Sequence, residues 1–406
     1  MSERRPTVLF YCQHSLGLGH LVRSFALAGA LAERFRVVLL NGGRLPRGVP
    51  APAGVEIVSL PPLGMTVEGK LVSHDKRRSA DRALELRRER MLALHAELEP
   101  DVLFVELFPF GRRKFADELV PLLGAAREGG ALTVCSLRDI LVGSRSNQAK
   151  FDERASVTAN ELFDAILVHS DPRFARLEES FRPQTPLRVP VHYTGFVLPG
   201  SAQAQAIAPS PAAPARPRVV VSAGGGAYGG ALMAAAAEAH RLELAADGID
   251  VRLVAGPFLA DGQFAALRDA ARRQPGLDVR RSVPDLVTEL GTAAASVSQC
   301  GYNTTLDLLR TGVPALVVPF AEGGEDEQTR RAERLERLGA LRVLPADRLD
   351  GRALAAAIRE LLAFRPELVD LDLDGARKSA LLVGNLLARA TAPPPGPDRP
   401  LVGIPS

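Results

Sequence analysis

The sequence predicts an α/β protein made of two doubly wound, Rossmann-like domains that face each other across a cleft. In both halves of the chain, short apolar runs alternate with helix-like segments, which is the pattern of parallel strands joined by crossover helices. Between the halves, residues 200–217 are rich in alanine and proline and carry few large apolar side chains. With 406 residues the chain is also long enough for two domains.

The composition is that of a globular protein. Hydrophobic residues make up 46% and charged residues 24% of the chain, which suffices for sizeable cores. The formal net charge is only +3 and tryptophan is absent, so we expect no nucleic-acid partner. Neither a membrane-spanning apolar stretch nor a signal-peptide cleavage pattern is visible. We therefore expect a cytoplasmic monomer or homodimer whose membrane association is at most peripheral.

The three cysteines point to a reducing compartment. Cys12, Cys135 and Cys300 lack Cys-x-x-Cys spacing and partner histidines. We therefore expect neither a disulfide framework nor a structural zinc site.

The N-terminal domain is predicted to span residues 1–199. Its strands are expected at residues 8–12, 36–41, 55–60, 101–107, 131–137 and 165–170. Helices are expected at about residues 20–34 and 76–98. The second helix interleaves arginines with acids, which favours a solvated helix over one that docks on a membrane or an anionic acceptor.

The C-terminal domain is predicted to span residues 218–392, after a linker at residues 200–217. Its strands are expected at residues 218–222, 250–256, 277–282, 295–299 and 314–320. Its last two helices are expected at about residues 351–364 and 374–389, and the final one should pack back on the N-terminal domain. The proline-rich residues 393–406 are typical of a loose tail.

A first glycine-rich turn, residues 15–20, lies between the first strand and the first helix. Gly17 and Gly19 allow the backbone to approach a ligand, and the following helix N-terminus favours negative charge. The position three residues beyond Gly19 is Val22, so the full Gly-x-Gly-x-x-Gly pattern is missing. This departure disfavours a nicotinamide cofactor.

A second turn, residues 222–230, joins a strand to an alanine-rich helix. Its glycines expose several backbone N–H groups together, which suits a phosphate group. No Gly-Lys-Ser/Thr follows, so the turn is not a Walker A loop. The alternative is a flexible loop that only reverses the chain.

A third segment, residues 296–339, contains a strand followed by a Gly-x-Asn-Thr turn that opens a helix. Asn303 and Thr304 can cap this helix and donate to an oxygen ligand, while Asp307 can accept from sugar hydroxyls. The loop that follows the next strand carries the acids and amide of residues 325–328, which also suit sugar hydroxyls. Ordinary helix capping is the alternative interpretation.

At residues 298–328 the sequence resembles the donor-binding region of GT-B glycosyltransferases, notably the UDP-glycosyltransferases and the peptidoglycan N-acetylglucosaminyltransferases. The motifs that carry this resemblance are Gln299-Cys300-Gly301-Tyr302-Asn303-Thr304 and Glu327-Gln328. Gly17-x-Gly19-His20, residues 106–111, Arg138-Asp139-Ile140 and residues 222–226 extend it to a group of predicted bacterial glycosyltransferases. The extended resemblance covers nearly all of residues 7–365.

The resemblance implies a GT-B architecture in which the N-terminal domain binds the acceptor and the C-terminal domain binds a nucleotide sugar. The diphosphate is expected near residues 222–226 and 301–304, the base near Val283, the ribose at Asp307, and the donor sugar at Glu327 and Gln328. The full expected donor set is Gly17, Gly19, Ser222, Gly224, Gly225, Gly226, Val283, Gln299, Gly301, Tyr302, Asn303, Thr304, Asp307, Glu325, Glu327 and Gln328. Three positions depart from the family: Gln299 replaces a histidine, Tyr302 a tryptophan, and Asp307 a glutamate.

Proton transfer is assigned to His20, in the first glycine-rich turn, because related enzymes use a histidine here as the base. A histidine that only caps the helix is the alternative, and His14 is the second candidate base. Glu106 and Asp139 follow apolar strands whose ends should face the cleft, so either acid can orient or replace the histidine. Glu106 ranks above Asp139, and structural salt bridges are the alternative for both.

These expectations combine into one predicted activity. The chain should transfer a sugar from a UDP- or dTDP-sugar to a hydroxyl or amine of a small-molecule or lipid-linked acceptor, with inversion and without a cofactor or metal. The Asp370-Leu371-Asp372 sequence resembles a metal-binding pair, but its position near the last helix favours a solvated turn. The alternatives are a nucleotide-sugar epimerase, a phosphorylase, or a catalytically silent binding protein of the same fold.

Overall fold

The computed structural model describes residues 4–14, 18–45, 51–66, 69–198, 216–225, 228–320 and 326–391. Several predictions concern positions outside these ranges. They are Gly17, Gly226, Glu325, most of the 200–217 linker and the 393–406 tail.

A seven-stranded sheet forms the N-terminal half, and all its neighbouring strands are parallel. The strands of this half are β1 (Thr7–Cys12), β2 (Arg36–Asn41), β3 (Val55–Ser59), β4 (Leu63–Met65), β5 (Leu71–Ser73), β6 (Val102–Glu106), β7 (Leu132–Arg138), β8 (Ala165–His169) and β9 (Val191–Tyr193). The strand order is β3-β2-β1-β6-β7-β8-β9, while β4 and β5 pair separately as an antiparallel hairpin. The sequence predicted six of these strands but not the short β4, β5 and β9.

Both faces of this sheet are covered, which explains why its central strands are continuous apolar runs. Alternate side chains of β1 pack into two different hydrophobic cores, one on each face of the sheet. Leu9 and Tyr11 pack with the helices on one face, whereas Val8, Phe10 and Cys12 pack with those on the other. The helices that follow these strands are α1 (Gly19–Ala32), α2 (Ala80–Leu98), α3 (Ala116–Glu128) and α4 (Gln148–Leu162).

Helix α2 differs from the solvated helix that the sequence predicted. It begins at Ala80 rather than near residue 76, because the Ser79 hydroxyl caps it by accepting from the Arg82 N–H at 3.1 Å. Arg87 is fully buried and forms an ion pair with Glu118 at 2.7 Å. One arginine of this helix is therefore part of the protein interior.

A six-stranded parallel sheet forms the C-terminal half, in the order β12-β11-β10-β13-β14-β15. Its strands are β10 (Arg218–Ser222), β11 (Asp250–Val254), β12 (Leu277–Arg280), β13 (Ala295–Ser298), β14 (Ala315–Val317) and β15 (Arg342–Val343). Its helices are α5 (Gly230–Ala239), α6 (Asp261–Arg272), α7 (Leu286–Gly291), α8 (Tyr302–Thr311), α9 (Glu327–Arg337) and α10 (Gly351–Ala363). Of its strands, only the two-residue β15 was not expected from the sequence.

One hydrophobic core is shared between the two halves. Val220 and Val317 of the C-terminal sheet belong to the same cluster as Ile140, Phe174 and Phe196 of the N-terminal half. The rings of Phe174 and Phe196 lie 5.5 Å apart, edge to face. Apolar packing as well as polar contacts therefore joins the domains.

The chain returns to the N-terminal half at its last described helix, α11 (Gly375–Thr391). Ala380 and Val383 of this helix are buried in the core that contains Val8 and Phe10 of β1. Just before the helix, Asp374 forms a β-bridge with Val197. A Cβ atom at Gly375 would lie 2.2 Å from the carbonyl oxygen of Gly195, so only glycine permits this crossing. Within the residues that the structure describes, no helix is both long and apolar enough to cross a bilayer.

The order of the strands determines where a ligand site can lie. Each sheet reverses its direction of winding beside its first strand, between β1 and β6 in one half and between β10 and β13 in the other. In open α/β sheets, ligands bind beyond the carboxyl ends of the strands at this point of reversal. We therefore expect a ligand site among the residues that follow β1, β6, β10 and β13.

Candidate active site

His20 and Glu106 lie together at the reversal point of the N-terminal sheet. Glu106 is the last residue of β6, and His20 is in the first turn of α1, which follows β1. The Nδ1 atom of His20 is 2.5 Å from Oε1 of Glu106. The carboxylate is fully buried, whereas 21% of the imidazole surface is exposed.

This arrangement leaves one nitrogen of the histidine for chemistry. Burial works against ionisation of Glu106, but the hydrogen bond with His20 and the charges of Arg23 and Arg112 outweigh it and lower the pKa of the carboxyl to about 2. Burial lowers the pKa of His20 to about 3, so the imidazole is neutral at neutral pH. Because the Glu106 carboxylate accepts at Nδ1, we assign the ring proton to Nδ1, and Nε2 is left to accept a proton.

Two arginines that the sequence reasoning missed surround Glu106. The Nη2 atom of Arg23 donates to Oε1 of Glu106 at 2.5 Å, and the Nε atom of Arg112 lies 3.8 Å from Oε2. Signals for both were present in the sequence. Arg23 is three residues after His20, and so on the same face of a helix, while Arg112 directly follows the 106–111 segment.

The other candidate base is already bonded within the N-terminal half. His14 is buried, and its Nε2 atom lies 3.2 Å from Oδ1 of Asn41. Burial lowers the pKa of His14 to about 4. The imidazole of His14 therefore has less freedom to accept a proton from a ligand than that of His20.

Asp139 is not placed with His20 or Glu106. Both of its carboxylate oxygens accept hydrogen bonds from Arg331 of α9, at 2.7 and 2.8 Å. The two side chains are almost completely buried, at 0% and 1% exposed. The structure therefore corrects the expectation that Asp139 orients or replaces the base: it belongs to a buried salt bridge between the domains, the alternative noted above.

In the C-terminal half, the second glycine-rich turn lies beside the start of α8. Gly224 has φ +52°, and a Cβ atom built on it would be 3.8 Å from the hydroxyl of Thr304. The amide Nε2 of Gln299 donates to the Tyr228 carbonyl at 3.1 Å, and so joins the turn to the end of β13. The Oγ atom of Ser222 is buried and has no hydrogen-bond partner among the described residues, while the carbonyl of Gly225 accepts from the Phe258 N–H at 3.0 Å. The ring of Tyr228 stacks on Phe320 at 4.5 Å.

The N-terminus of α8 contacts the N-terminus of α1. Gly301 caps α8, and the Asn303 side-chain amide donates to the carbonyl of Gly19 at 3.1 Å. The other amide atom, Oδ1 of Asn303, is buried and has no hydrogen-bond partner among the described residues. The positive ends of two helix dipoles therefore meet here, one from each domain.

The side chain of Tyr302 is held by the N-terminal half. Its hydroxyl donates to the carbonyl of His169 at 3.0 Å and accepts from the Val197 N–H at 2.9 Å. Its ring lies 5.7 Å from that of Phe196 and under the Arg23 guanidinium. The side chain therefore packs against the N-terminal half, and the donor contact of Tyr302 stays a prediction for its backbone at the start of α8.

Asp307 lies one turn into α8, near the loop that contains Val283. Burial raises the pKa of the Asp307 carboxyl to about 7, and the charge of Asp285 in that loop acts in the same direction, against Arg310. Val283 is half-buried and packs at the edge of the shared core. A base against Val283 and a ribose at Asp307 are therefore compatible with the positions of these residues.

Glu327 and Gln328, expected at the donor sugar, both have partners in the protein. Arg138 forms an ion pair with Glu327 across the domain interface, with one N–H to Oε1 at 2.6 Å. Oε1 of Gln328 accepts from the backbone N–H groups of Cys300 and Phe320, at 3.1 and 3.2 Å. Their role at the donor sugar stays a prediction, and for Glu327 it requires release from Arg138.

Comparison with solved structures identifies the architecture. The chain superposes on the calicheamicin glycosyltransferase CalG4 with a TM-score of 0.57 and 17% identity, covering 96% of this chain and 95% of that one. It superposes on Phytolacca americana UGT2 with a TM-score of 0.59 and 18% identity, covering 97% and 96%. It superposes on Acinetobacter baumannii MurG with a TM-score of 0.57 and 15% identity, covering 94% of this chain and 99% of that one. The chain has the GT-B fold. Both predicted Rossmann-like sheets of the GT-B architecture are confirmed.

The second half of the GT-B fold also matches a family by sequence. Residues 276–373 match the model of the glycosyltransferase family 28 C-terminal domain. The UDP-N-acetylglucosamine–N-acetylmuramyl-(pentapeptide) pyrophosphoryl-undecaprenol N-acetylglucosamine transferase of Pseudomonas aeruginosa is 35% identical over 103 residues, 25% of this chain and 29% of that protein. The Acidithiobacillus ferrooxidans protein of the same name is 32% identical over 117 residues, which are 29% of this chain and 31% of that protein. The matched region spans less than one third of these curated relatives. The residues that match the family model, 276–373, contain α8 and α9.

Proposed function

We propose that the protein is a glycosyltransferase that moves a sugar from a UDP- or dTDP-sugar to a hydroxyl or amine of a small-molecule or lipid-linked acceptor. Inversion at the anomeric carbon and independence from metal ions are part of this proposal. The GT-B fold and the matched family 28 domain support the reaction class. The names of the curated relatives specify a UDP-sugar, so UDP is the first nucleotide to test.

One observation carries the proposal. The buried carboxylate at the end of β6 contacts a partly exposed histidine at the start of α1, and the start of α1 lies against the N-terminus of the donor-domain helix α8. Glu106 holds His20 at 2.5 Å, and Asn303 bonds Gly19, the residue before His20, at 3.1 Å. A proton acceptor and a site for a diphosphate are therefore adjacent, although they come from different domains.

The transfer step follows from this geometry. Nε2 of His20 accepts the proton of the acceptor O–H or N–H, while the acceptor atom forms a bond to the anomeric carbon. The bond between that carbon and the diphosphate oxygen breaks, and its electron pair stays on the diphosphate. The imidazolium that forms is stabilised by the Glu106 carboxylate. Attack opposite to the leaving group inverts the anomeric configuration.

The leaving diphosphate needs stabilisation of its negative charge. The N-terminus of α8 and the backbone N–H groups of the Gly224 turn supply it in the proposed complex, with the hydroxyl of Thr304 beside them. We therefore expect transfer to continue at an undiminished rate in excess chelator, measured as nucleotide diphosphate released. A loss of turnover that magnesium restores would contradict the metal-independent mechanism.

A nucleotide screen tests the donor site. Thermal unfolding of the purified protein with UDP, dTDP, GDP, ADP and CMP should show the largest stabilisation with UDP or dTDP. Asp307→Asn, which keeps the size of the side chain but removes its charge, should reduce this stabilisation because the ribose hydroxyls lose a charged acceptor. No stabilisation by any of the five nucleotides would reject the proposed function, and sugar phosphates would then test for a phosphorylase.

The pKa of Asp307 gives the same experiment a pH dependence. Ribose hydroxyls donate best to the ionised carboxylate, which predominates above the pKa of about 7. The affinity for a UDP-sugar should therefore be full at pH 8 and fall by up to about tenfold per pH unit below pH 7. Without nucleotide, the pH dependence of folding stability has the opposite sign. Asp307 binds its proton more tightly in the folded than in the unfolded state, so its contribution to stability falls as pH rises from 3.8 to about 7. Asp307→Asn should remove both dependences, and a UDP-sugar affinity that is equal at pH 6 and pH 8 in the wild type would exclude Asp307 from the ribose site.

A further inference from the structure

Arg112 carries a buried positive charge for which the protein supplies no full partner. It lies in the loop after β6, and its side chain is only 10% exposed. Its Nε and Nη2 atoms are buried and have no hydrogen-bond partner in the part of the chain that the structure describes. The guanidinium group presents its donors as a rigid fork that fits the two oxygens of a carboxylate or phosphate.

The nearby carboxylate does not balance this charge. Oε1 of Glu106 already accepts from Arg23 and His20, each at 2.5 Å, whereas Oε2 has no hydrogen-bond partner among the described residues and lies 3.8 Å from Nε of Arg112. Two buried guanidinium groups therefore surround a single carboxylate, with one positive charge in excess. Buried cations are normally paired, so this excess marks a position for an anion.

The position of Arg112 separates it from the donor site. Arg112 lies between β6 and α3, within the N-terminal domain. Gly224, Thr304 and Asp307, where the donor is expected, all belong to the C-terminal domain.

We propose that Arg112 binds an oxyanion of the acceptor, so that the natural acceptors carry a carboxylate or phosphate close to the hydroxyl or amine that receives the sugar. This inference rests on the proposed function and narrows its acceptor class. The oxyanion pairs with the free donors of Arg112, and Glu106 stays bonded to His20. An acceptor held in this way presents its nucleophile to His20 from the N-terminal side of the cleft.

Binding can be tested without knowing the acceptor. With the donor site saturated by UDP, inorganic phosphate or acetate is titrated into protein with ¹⁵N-labelled histidines, and the His14 and His20 resonances are followed. Saturable shifts are expected for at least one of the two ions, phosphate indicating a phosphorylated and acetate a carboxylated acceptor. Arg112→Gln should weaken this binding by about tenfold or more, and Arg112→Lys, which keeps the charge without the fork, by less. Arg113→Gln removes a neighbouring exposed arginine and should leave it unchanged.

The variants separate the possible outcomes. Thermal unfolding first establishes that each variant folds and that UDP still stabilises it. If UDP binds but neither ion shifts the histidines, or if Arg112→Gln binds the ion as tightly as wild type, the inference about Arg112 is wrong while the proposed function stands. If no nucleotide binds, the proposed function fails, but a phosphate titration that depends on Arg112 would still establish the anion site.

A transfer assay provides a second readout. Wild-type protein should use a phenolic acid in preference to its neutral amide, mainly through a lower KM for the acid. Arg112→Gln should reduce this preference by about tenfold or more without changing the KM for the nucleotide sugar. If acetate is the ion that binds, an equal use of acid and amide by the wild type would overturn the assignment of a carboxylated acceptor.

Discussion

Replacing His20 by alanine should lower the turnover number for glycosyl transfer by about 10²–10⁴-fold, the usual contribution of a positioned general base. Nε2 of His20 is the proton acceptor that the Glu106 contact leaves open, and no other histidine replaces it because His14 is bonded to Asn41. Nucleotide binding should be unchanged, since the donor residues lie on the other domain. The measurement is nucleotide diphosphate release under saturating donor, together with UDP-induced thermal stabilisation.

Glu106→Gln should act through the same histidine. The amide cannot stabilise an imidazolium at Nδ1, so we expect turnover to fall by about 10²-fold or more while His20 itself is intact. The variant should also unfold at a lower temperature, because Arg23 loses the carboxylate that it contacts at 2.5 Å.

Two other histidine variants decide whether the assignment is right. His95→Ala, at the far end of α2, should transfer sugar at the wild-type rate. His14→Ala tests the second candidate base. If His14→Ala abolishes transfer and His20→Ala does not, the roles of the two histidines are reversed, and if neither has an effect, the protein does not use a histidine base.

Replacing Asp139 by alanine should destabilise the protein by about 3–5 kcal/mol, because it leaves the guanidinium of Arg331 buried without its partner. The pair is almost fully buried, and Asp139 accepts both hydrogen bonds at 2.7 and 2.8 Å. The loss should appear in urea or thermal unfolding. It should also loosen the domain interface, because Asp139 belongs to the N-terminal half and Arg331 of α9 to the C-terminal half.

The matched control for the Asp139 variant is a solvent-exposed ion pair. Asp269 and Arg272 of α6 pair at 2.9 Å with 53% and 70% of their side chains exposed, so Asp269→Ala should change stability by about 0–1 kcal/mol. The double variant Asp139→Leu/Arg331→Met removes both buried charges and should be more stable than Asp139→Ala alone. Similar small losses for Asp139→Ala and Asp269→Ala would show that the buried pair does not hold the domains together.

The sequence was sufficient for the architecture because the long parallel strands are buried on both faces and read as apolar runs. β1, β6 and β10 were found in this way. The short strands β4, β5, β9 and β15 were missed, since pairing within the folded protein defines them and their residues are not continuously apolar. The buried ion pair of Arg87 with Glu118 was missed for the same reason, because an arginine in a charged helix gives no sign that it is buried.

The candidate site was predictable where its residues follow adjacent strands of one sheet. The pairing of Glu106 with a turn after β1 follows from the order of the strands. The position of Arg23 beside His20 follows from their spacing of three residues along a helix. The partner of Asp139 was not predictable, since Arg331 lies 192 residues away on the other domain. Tyr302 illustrates the same limit, since nothing in the motif indicated that its hydroxyl bonds to His169 and Val197.

The position of α11 has a consequence for the synthesis of the protein in the cell. Ala380 and Val383 complete the core around β1, yet they leave the ribosome only after the whole C-terminal domain has been translated. Until then, the apolar surface of this core that α11 covers stays exposed and open to chaperones, although α1 already packs beside it. A nascent chain stopped before α11 should be cleaved by proteases within its N-terminal half, and adding the helix as a separate peptide should protect it. The N-terminal domain of this enzyme candidate therefore reaches its final form only when the C-terminal domain has been made.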